Sequence, residues 1–346
     1  YTLFSTMSFL GFKEVVEEED VAIIYLGHNN LLPLKLCCGK TTQTKYGALK
    51  HHDLIGKKYG TMINTHGDKG WLFILHPNPE LWTVTLPHRT QILYFADISL
   101  ITFELELKPG SLVAEAGTGS GSLSHAMART LAPNGHLYTY EFHKQRADIA
   151  KEEFESHGLS SVVTLANRDV MKDGFQDDVV VDAVFLDLPS PWLVVPHAKK
   201  VLKTDGGRIC SFSPCIEQAQ RTCQILFDIG FCEVKTVECL LRPYDIRFTS
   251  LPEPNFGFPL QKAKADTEDG SVHGNDCNKK IEKSDLGSHE EVPPLRKKPR
   301  WNTDSVSGNS KQDKDQVPGG KYAVPSKDII GHSGYLTFAT LNESKM

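Results

Sequence analysis

At 346 residues the chain is long enough for one large domain and a smaller one, and its 40% hydrophobic and 23% charged residues exclude a disordered or fibrous protein as a whole. A net charge of −5 excludes a uniformly basic surface, so a grip on nucleic acid must come from a local patch or from a partner. No apolar run approaches the roughly 18 residues that span a membrane, and the eight cysteines form no Cys-x-x-Cys pair, which argues against zinc and for buried free thiols in a reducing compartment.

Residues 1–19 read as an N-terminal extension whose acidic cluster, Glu14 and Glu17–Asp20, lies on the surface. From 20 to 76 short apolar runs alternate with turns: 21–26, 31–38, 59–63 and 71–75, the last two separated by His66–Gly70. Such spacing predicts a small β-barrel-like domain. His76-Pro77-Asn78-Pro79 marks a boundary, because proline restricts the backbone on both sides of itself. Residues 77–110 then form a linker and a helix over Ile98–Leu107, stopped by Pro109-Gly110.

From 111 the pattern becomes α/β. Leu112-Val113-Ala114 opens a strand, Gly117, Gly119 and Gly121 make a turn, and Leu123, Ala126, Met127, Thr130 and Leu131 recur at helical steps. Further strands at 136–142, 161–170, 182–192, 208–214 and 231–242 alternate with helices, which predicts a parallel sheet covered on both faces. Residues 252–321 are polar and without period, and read as a disordered insertion. Order returns at 332–341, a last strand, whose 334–341 forms a hairpin with 231–242, so the large domain comprises 111–251 and 322–346. A long loop is tolerable there because closure entropy grows slowly with length.

Chemistry is expected at the carboxyl ends of the strands. The turn Gly-Thr-Gly-Ser-Gly is neither the dinucleotide fingerprint nor a P-loop. Glu115, just before it, disfavours a phosphate-bearing ligand and suits a cationic one. S-adenosylmethionine has a sulfonium, an ammonium and no phosphate. Glu141, Asp169 and Asp187 end or follow the next three strands. Singly, each reads as a solvated acid or cap; in register behind the glycine turn, they read as a nucleoside site. Asp187 precedes Leu188-Pro189-Ser190-Pro191-Trp192, a stiff turn that either merely braces the loop or holds a carboxylate against a planar base. Arg89 either lines the ligand pocket or pairs with a surface acid. Thr42–Tyr46 with Lys50, His51, His52, Lys57 and Lys58 is either an RNA-facing or a solvated face.

The stretches 86–101, 115–126, 141–147, 185–192, 211–218 and 334–340 (LPHRTQILYFADISLI, EAGTGSGSLSHA, EFHKQRA, FLDLPSPW, SFSPCIEQ and GYLTFAT) resemble the catalytic subunits of eukaryotic tRNA (adenine-N1)-methyltransferases that modify T-loop adenosine 58. The resemblance covers nearly all of 7–251 and 330–341, and implies a class I S-adenosylmethionine-dependent methyltransferase, a Rossmann-like α/β fold, behind the N-terminal β domain. It implies that S-adenosyl-L-methionine is held by Gln91, Ile92, Leu93, Glu115, Gly117, Thr118, Gly119, Ser120, Gly121, Ser122, Glu141, Arg146, Asp169, Val170 and Asp187, with Asp187 the catalytic acid. It implies tRNA contacts from Leu26, Gly27, His28, Thr41, Thr42, Gln43, Thr44, Lys45, Tyr46, Gly47, Ala48, Arg89, Leu188, Pro189, Ser211, Phe212, Ser213, Pro214, Cys215, Ile216, Glu217, Gln218 and Ser333. It further implies a heterotetramer, two plus two, with a related non-catalytic subunit, no metal, no membrane, and a location in the nucleus, with the cytoplasm as an alternative. The competing expectations are a methyltransferase of another substrate, such as a protein carboxyl group, and a tRNA-binding scaffold subunit; the intact glycine turn and Asp187 argue against the scaffold.

Overall fold

The computed structural model describes residues 9–65, 70–176, 179–249, 320–325 and 334–342. The chain forms two units, one of Tyr1–Arg242 with Lys327–Met346 and one of Pro243–Ser326. No described helix is long and apolar enough to cross a membrane.

The first unit begins with six short strands: β1 (Val21–Tyr25), β2 (Leu31–Lys35), β3 (Thr41–Thr44), β4 (Gly47–Lys50), β5 (Met62–Asn64) and β6 (Trp71–Leu75). They pair antiparallel as a sheet β2-β1-β6-β5 and a separate hairpin, β3-β4. Successive strand side chains point to opposite faces, so Ala22 and Ile24 with Leu72 and Ile74 turn into one core. Val16 joins that core, fully buried, and Phe9 is buried beside Trp82. Glu14, Glu17, Glu18 and Glu19 are exposed as expected, but the expectation of a surface segment is corrected at Phe9 and Val16, each of which has an apolar cluster within reach. Asp20 is buried too, accepting from Lys13 Nζ at 2.9 Å and Glu17 N at 2.7 Å. The β3-β4 hairpin was not legible as strands, since Thr41–Thr44 is polar throughout.

Two helices follow, α1 (Pro79–Thr83), capped by the Asn78 side chain, and α2 (Phe95–Glu104). The larger sheet then alternates with helices: β7 (Leu112–Ala116), α3 (Ser122–Leu131), β8 (His136–Glu141), α4 (Lys144–Ser156), β9 (Val163–Asn167), α5 (Val170–Asp173), β10 (Ala183–Asp187), α6 (Val195–Val201), β11 (Asp205–Ser213), α7 (Ile216–Asp228) and β12 (Phe231–Glu238). The second unit holds β13 (Tyr244–Thr249) and β14 (Gly320–Pro325), an antiparallel pair. β14 takes the last two residues of the expected insertion, 320 and 321, into a strand; its remainder, 252–319, lies outside the described residues. β15 (Tyr335–Asn342) completes the sheet in the order β12-β15-β11-β10-β7-β8-β9. β15 runs antiparallel to both β11 and β12, and its pairing with β12 is the hairpin expected between 231–242 and 334–341. The other neighbouring pairs are parallel.

Alternation along the strands splits the core. Val113, Leu137, Phe185 and Phe338 face α1–α4, while Ala114, Tyr140, Leu186 and Ile209 face α6 and α7. The chain runs outward from β7 through β8 to β9 and then crosses back to β10 on the other side of β7, which leaves the centre of the sheet as the topological switch, where such folds bind ligands.

Under the glycine turn lies a buried chain of imidazoles. The Gly121 carbonyl, 2.6 Å from His125 Nδ1, can only accept, so that nitrogen carries the proton and His125 Nε2 accepts from His157 Nδ1 at 2.8 Å. Phe9, Trp82 and Phe154 ring the pair. Burial, with the Arg89 charge nearby, pushes His125 down to about 4; burial, with His125 and Lys35 beside it, holds His157 far below the usual imidazole range. The unfolded chain gains protons below about pH 6.5 while the folded one stays neutral, so stability falls as pH drops from there towards 4. The expected loss from His125 alone is about 3 kcal/mol at pH 4. Denaturant unfolding of wild type and His125→Phe across that window checks it: the variant's pH slope should be shallower, and equal slopes would count against the account.

Candidate active site

Glycine at 117 is demanded by geometry. Its φ is +98°, and a Cβ there would run into the backbone carbonyl oxygen of Asp187. The end of β7 therefore packs directly on the end of β10, which the sequence had placed as separate elements. Gly119, at φ +55°, would bring a Cβ to 2.7 Å from Thr90 Oγ1. The turn is thus clamped between Asp187 on one side and the 89–93 segment on the other.

The residues that hold the segment are Ser120 and Ser122. Ser120 Oγ accepts from Arg89 N at 3.0 Å and Thr90 N at 3.2 Å, and Ser122 Oγ donates to the Leu93 carbonyl at 2.9 Å. Both hydroxyls are buried braces. Thr118 Oγ1 meets Thr139 Oγ1 at 2.6 Å, and Thr139 donates to Glu115 Oε2 at 2.7 Å, where Ser124 also donates at 2.6 Å. Glu115 is fully buried, and desolvation pushes it up to about 7. Expected beside a cationic ligand, it is instead a tie between β7, β8 and α3. Glu115, Thr118, Ser120, Gly121 and Ser122 line only a small cavity of about 30 Å³ with the turn.

The main cleft, of about 460 Å³, is lined by Gln91, Ile92, Leu93, Gly117, Gly119, Glu141, Arg146, Asp169, Val170 and Asp187 among the expected residues. Phe142, His143, Met171, Leu188, Pro189 and Phe212 add walls, of which Phe142, His143 and Met171 were not singled out in the sequence because nothing in their spacing marks them. A groove of about 570 Å³ between α1, α2 and α3 holds none of the expected residues and no strand-end acid.

Three of the four acids are committed. Glu141, 3% exposed, takes Gly119 N at 3.0 Å on Oε2, and His143 N, Arg146 Nε and Arg146 Nη2 at 2.8–3.1 Å on Oε1. Asp169 caps α5 through Met171 N at 3.0 Å. The Asp187 carboxyl has no hydrogen-bond partner among the described residues; burial first, and then the charge of Glu141, push it up to about 6. The cations of the cleft are spent: Arg146 on Glu141, and Arg168 on the carbonyls of Asp173 and Gly174. A phosphate-bearing ligand finds no uncommitted Arg or Lys among the described lining residues, whereas a cationic nucleoside fits the surplus of acid.

The expected tRNA residues separate. Loop 26–28 and hairpin β3-β4 come together: Tyr46 Oη donates to the Leu26 carbonyl at 3.0 Å, while His28, Thr41, Gln43 and Lys45 are exposed. Thr42 and Thr44 are tied internally to His51 and Gly47, and the Leu26 side chain lies in the small core. Arg89 is corrected: its guanidinium grips Glu153 bidentately at 2.6 and 2.9 Å, as the plainer reading of it had it. Ser211 and Ser213 are also corrected, being buried beneath the surface as alternating inward positions of β11. Pro214, Cys215, Ile216 and Glu217 are exposed, and Ser333 lies outside the described residues.

A seven-stranded sheet with one reversed strand, and a glycine turn packed against strand-end acids, define a class I S-adenosylmethionine-dependent methyltransferase fold. Two solved structures share it: an S-adenosylmethionine-dependent O-methyltransferase from Thermotoga maritima, with TM-score 0.68 and 23% identity over 95% of each chain, and the tRNA (m1A58) methyltransferase TrmI from Aquifex aeolicus, with TM-score 0.60 and 19% identity over 94% of this chain and 98% of that one. Residues 70–341 match the family described as tRNA methyltransferase complex GCD14 subunit, and the chain belongs to that family. It is 45% identical over 251 residues to the tRNA (adenine(58)-N(1))-methyltransferase catalytic subunit trmt61a of Dictyostelium discoideum, covering 71% of this chain and 80% of that protein. To the subunit TRM61 of Candida albicans it is 38% identical over 339 residues, covering 96% and 98%.

Proposed function

We infer that this chain is the catalytic subunit of a tRNA (adenine(58)-N1)-methyltransferase using S-adenosyl-L-methionine. Asp187 carries the reading: it is the strand-end acid in the cleft without a hydrogen-bond partner among the described residues, and its carbonyl abuts Gly117. The methyl donor would be held by Gly117, Gly119, Glu141, Asp169, Val170 and the 91–93 segment. When bound, it supplies an electrophilic methyl group.

The remaining work belongs to the protein. The Asp187 carboxylate accepts from the exocyclic amine of adenine and so orients the ring, whose N1 lone pair attacks without prior deprotonation. Positive charge develops on the base as N1 acquires its substituent, and a fixed carboxylate stabilises it. Pro189 and Pro191 stiffen the following turn, and Leu188, Pro189 and Phe212 give the cleft apolar walls. The target adenosine leaves its folded loop to reach this depth.

The exposed His28, Thr41, Gln43 and Lys45 supply a polar face for tRNA, and the net acidity of the chain favours a partner that brings further RNA affinity. We place it in a two-plus-two assembly with a related non-catalytic subunit. The test is incubation of methyl-labelled cofactor with unmodified tRNA, this chain and that subunit. Label in tRNA supports the reading; label in protein supports the alternative carboxyl-group methyltransferase and contradicts it.

A further inference from the structure

We propose that Gln218 is a positioning residue for Asp187, acting through the loop that follows it; the proposal rests on the role just given to Asp187. One amide spans two elements. Its Oε1 accepts from Cys215 N at 3.2 Å, closing the capping box at the start of α7, and its Nε2 donates to the Pro189 carbonyl at 3.0 Å. One turn along α7, the Arg221 guanidinium lies 5.2 Å from the Trp192 ring centroid. The helix therefore holds both ends of the 189–192 turn.

The residue type is informative. A capping box is satisfied by Glu as well as by Gln at this position, and a helix N-terminus favours the carboxylate. Only Gln also carries an N–H for the Pro189 carbonyl. Prolines 189 and 191 lack backbone donors, so the turn has few hydrogen bonds of its own with which to stay in place. Asp187 stands two residues from the tied carbonyl, and β10 is registered to β11 through the pair Asp187–Phe212 just ahead of α7. The resemblance implies that Gln218 touches tRNA; the geometry gives its amide two partners inside the protein.

Gln218→Glu separates the two halves of the amide. It keeps the cap and sets an oxygen against the Pro189 carbonyl. In the full chain with its partner subunit, three quantities decide: single-turnover methylation at saturating tRNA and cofactor, tRNA affinity, and melting temperature. The expected result is a rate lowered about 10- to 100-fold, as for a misplacement of a reacting group by a fraction of an ångström to an ångström, with tRNA affinity within about twofold and a melting temperature no lower than wild type. Gln218→Ala, which loses the cap as well, should lower both rate and melting temperature. A Gln218→Glu enzyme with the wild-type rate overturns the proposal. So does a fall in tRNA affinity that matches the fall in rate, which would make the residue an RNA contact. Asp187→Asn run alongside tells the premises apart: if it turns over normally, the role of Asp187 fails and the proposal with it, whereas a dead Asp187→Asn beside a fully active Gln218→Glu removes the proposal alone.

Discussion

Replacing Asp187 by Ala should lower the rate of methyl transfer by at least about a hundredfold, the size of effect that a fixed charge at a reacting centre carries, while cofactor affinity and melting temperature stay near wild type. The side chain has no hydrogen-bond partner among the described residues, so its removal orphans no internal group. Its carboxyl is pushed up to about 6 by burial and by Glu141. The ionised form is the competent acceptor, so the wild-type rate should climb with pH through about 6 and level off above it. Asp187→Asn should be slow and lack that rise. A pH-resolved single-turnover series measures both. An Asp187→Ala protein that fails to fold would make the acid structural instead.

Gly117→Ala should be the more damaging of the two for binding. At φ +98° any side chain is strained by roughly 1–2 kcal/mol, and here the added methyl also meets the Asp187 carbonyl. The turn and the strand end cannot both keep their positions. Cofactor affinity should fall at least about tenfold, given that 1.4 kcal/mol is a factor of ten, and methylation should fall with it. Titration calorimetry of the cofactor into the variant measures this directly. Affinity within about twofold of wild type would show that the glycine is not needed for the close approach.

Much of this site is legible in the sequence, for a physical reason. Apolar runs and helical periods mark the strands and most helices of the sheet, though not the short α5, and a parallel sheet gathers its strand ends on one edge, so acids far apart in sequence meet there. What could not be read was which acids were already occupied. Glu115, Glu141, Asp169 and Asp187 look alike in sequence; Ser124, Thr139, Gly119, Arg146 and Met171 decide their state, and most of these are brought in by tertiary packing. The same holds for Arg89, taken by Glu153 from 64 residues away, and for Ser120 and Ser122, whose hydroxyls fasten the 89–93 segment. The hairpin β3-β4 escaped detection because its strands have no apolar alternation, and Phe9 and Val16 because single apolar residues announce no period. The two internal partners of Gln218 are not legible either, since a side-chain amide's targets depend on what the fold sets beside it.

The cleft between Gly117 and Asp187 delivers a methyl group to N1 of one adenosine. The most direct measurement of this is nucleoside analysis of unmodified tRNA after reaction with this chain, its partner subunit and S-adenosylmethionine, compared with the same tRNA carrying guanosine at position 58. N1-methyladenosine is expected in the first and none in the second, and Asp187→Ala should remove it from the first. Methylation of another atom, or N1-methyladenosine formed equally in the guanosine-58 transcript, would contradict it.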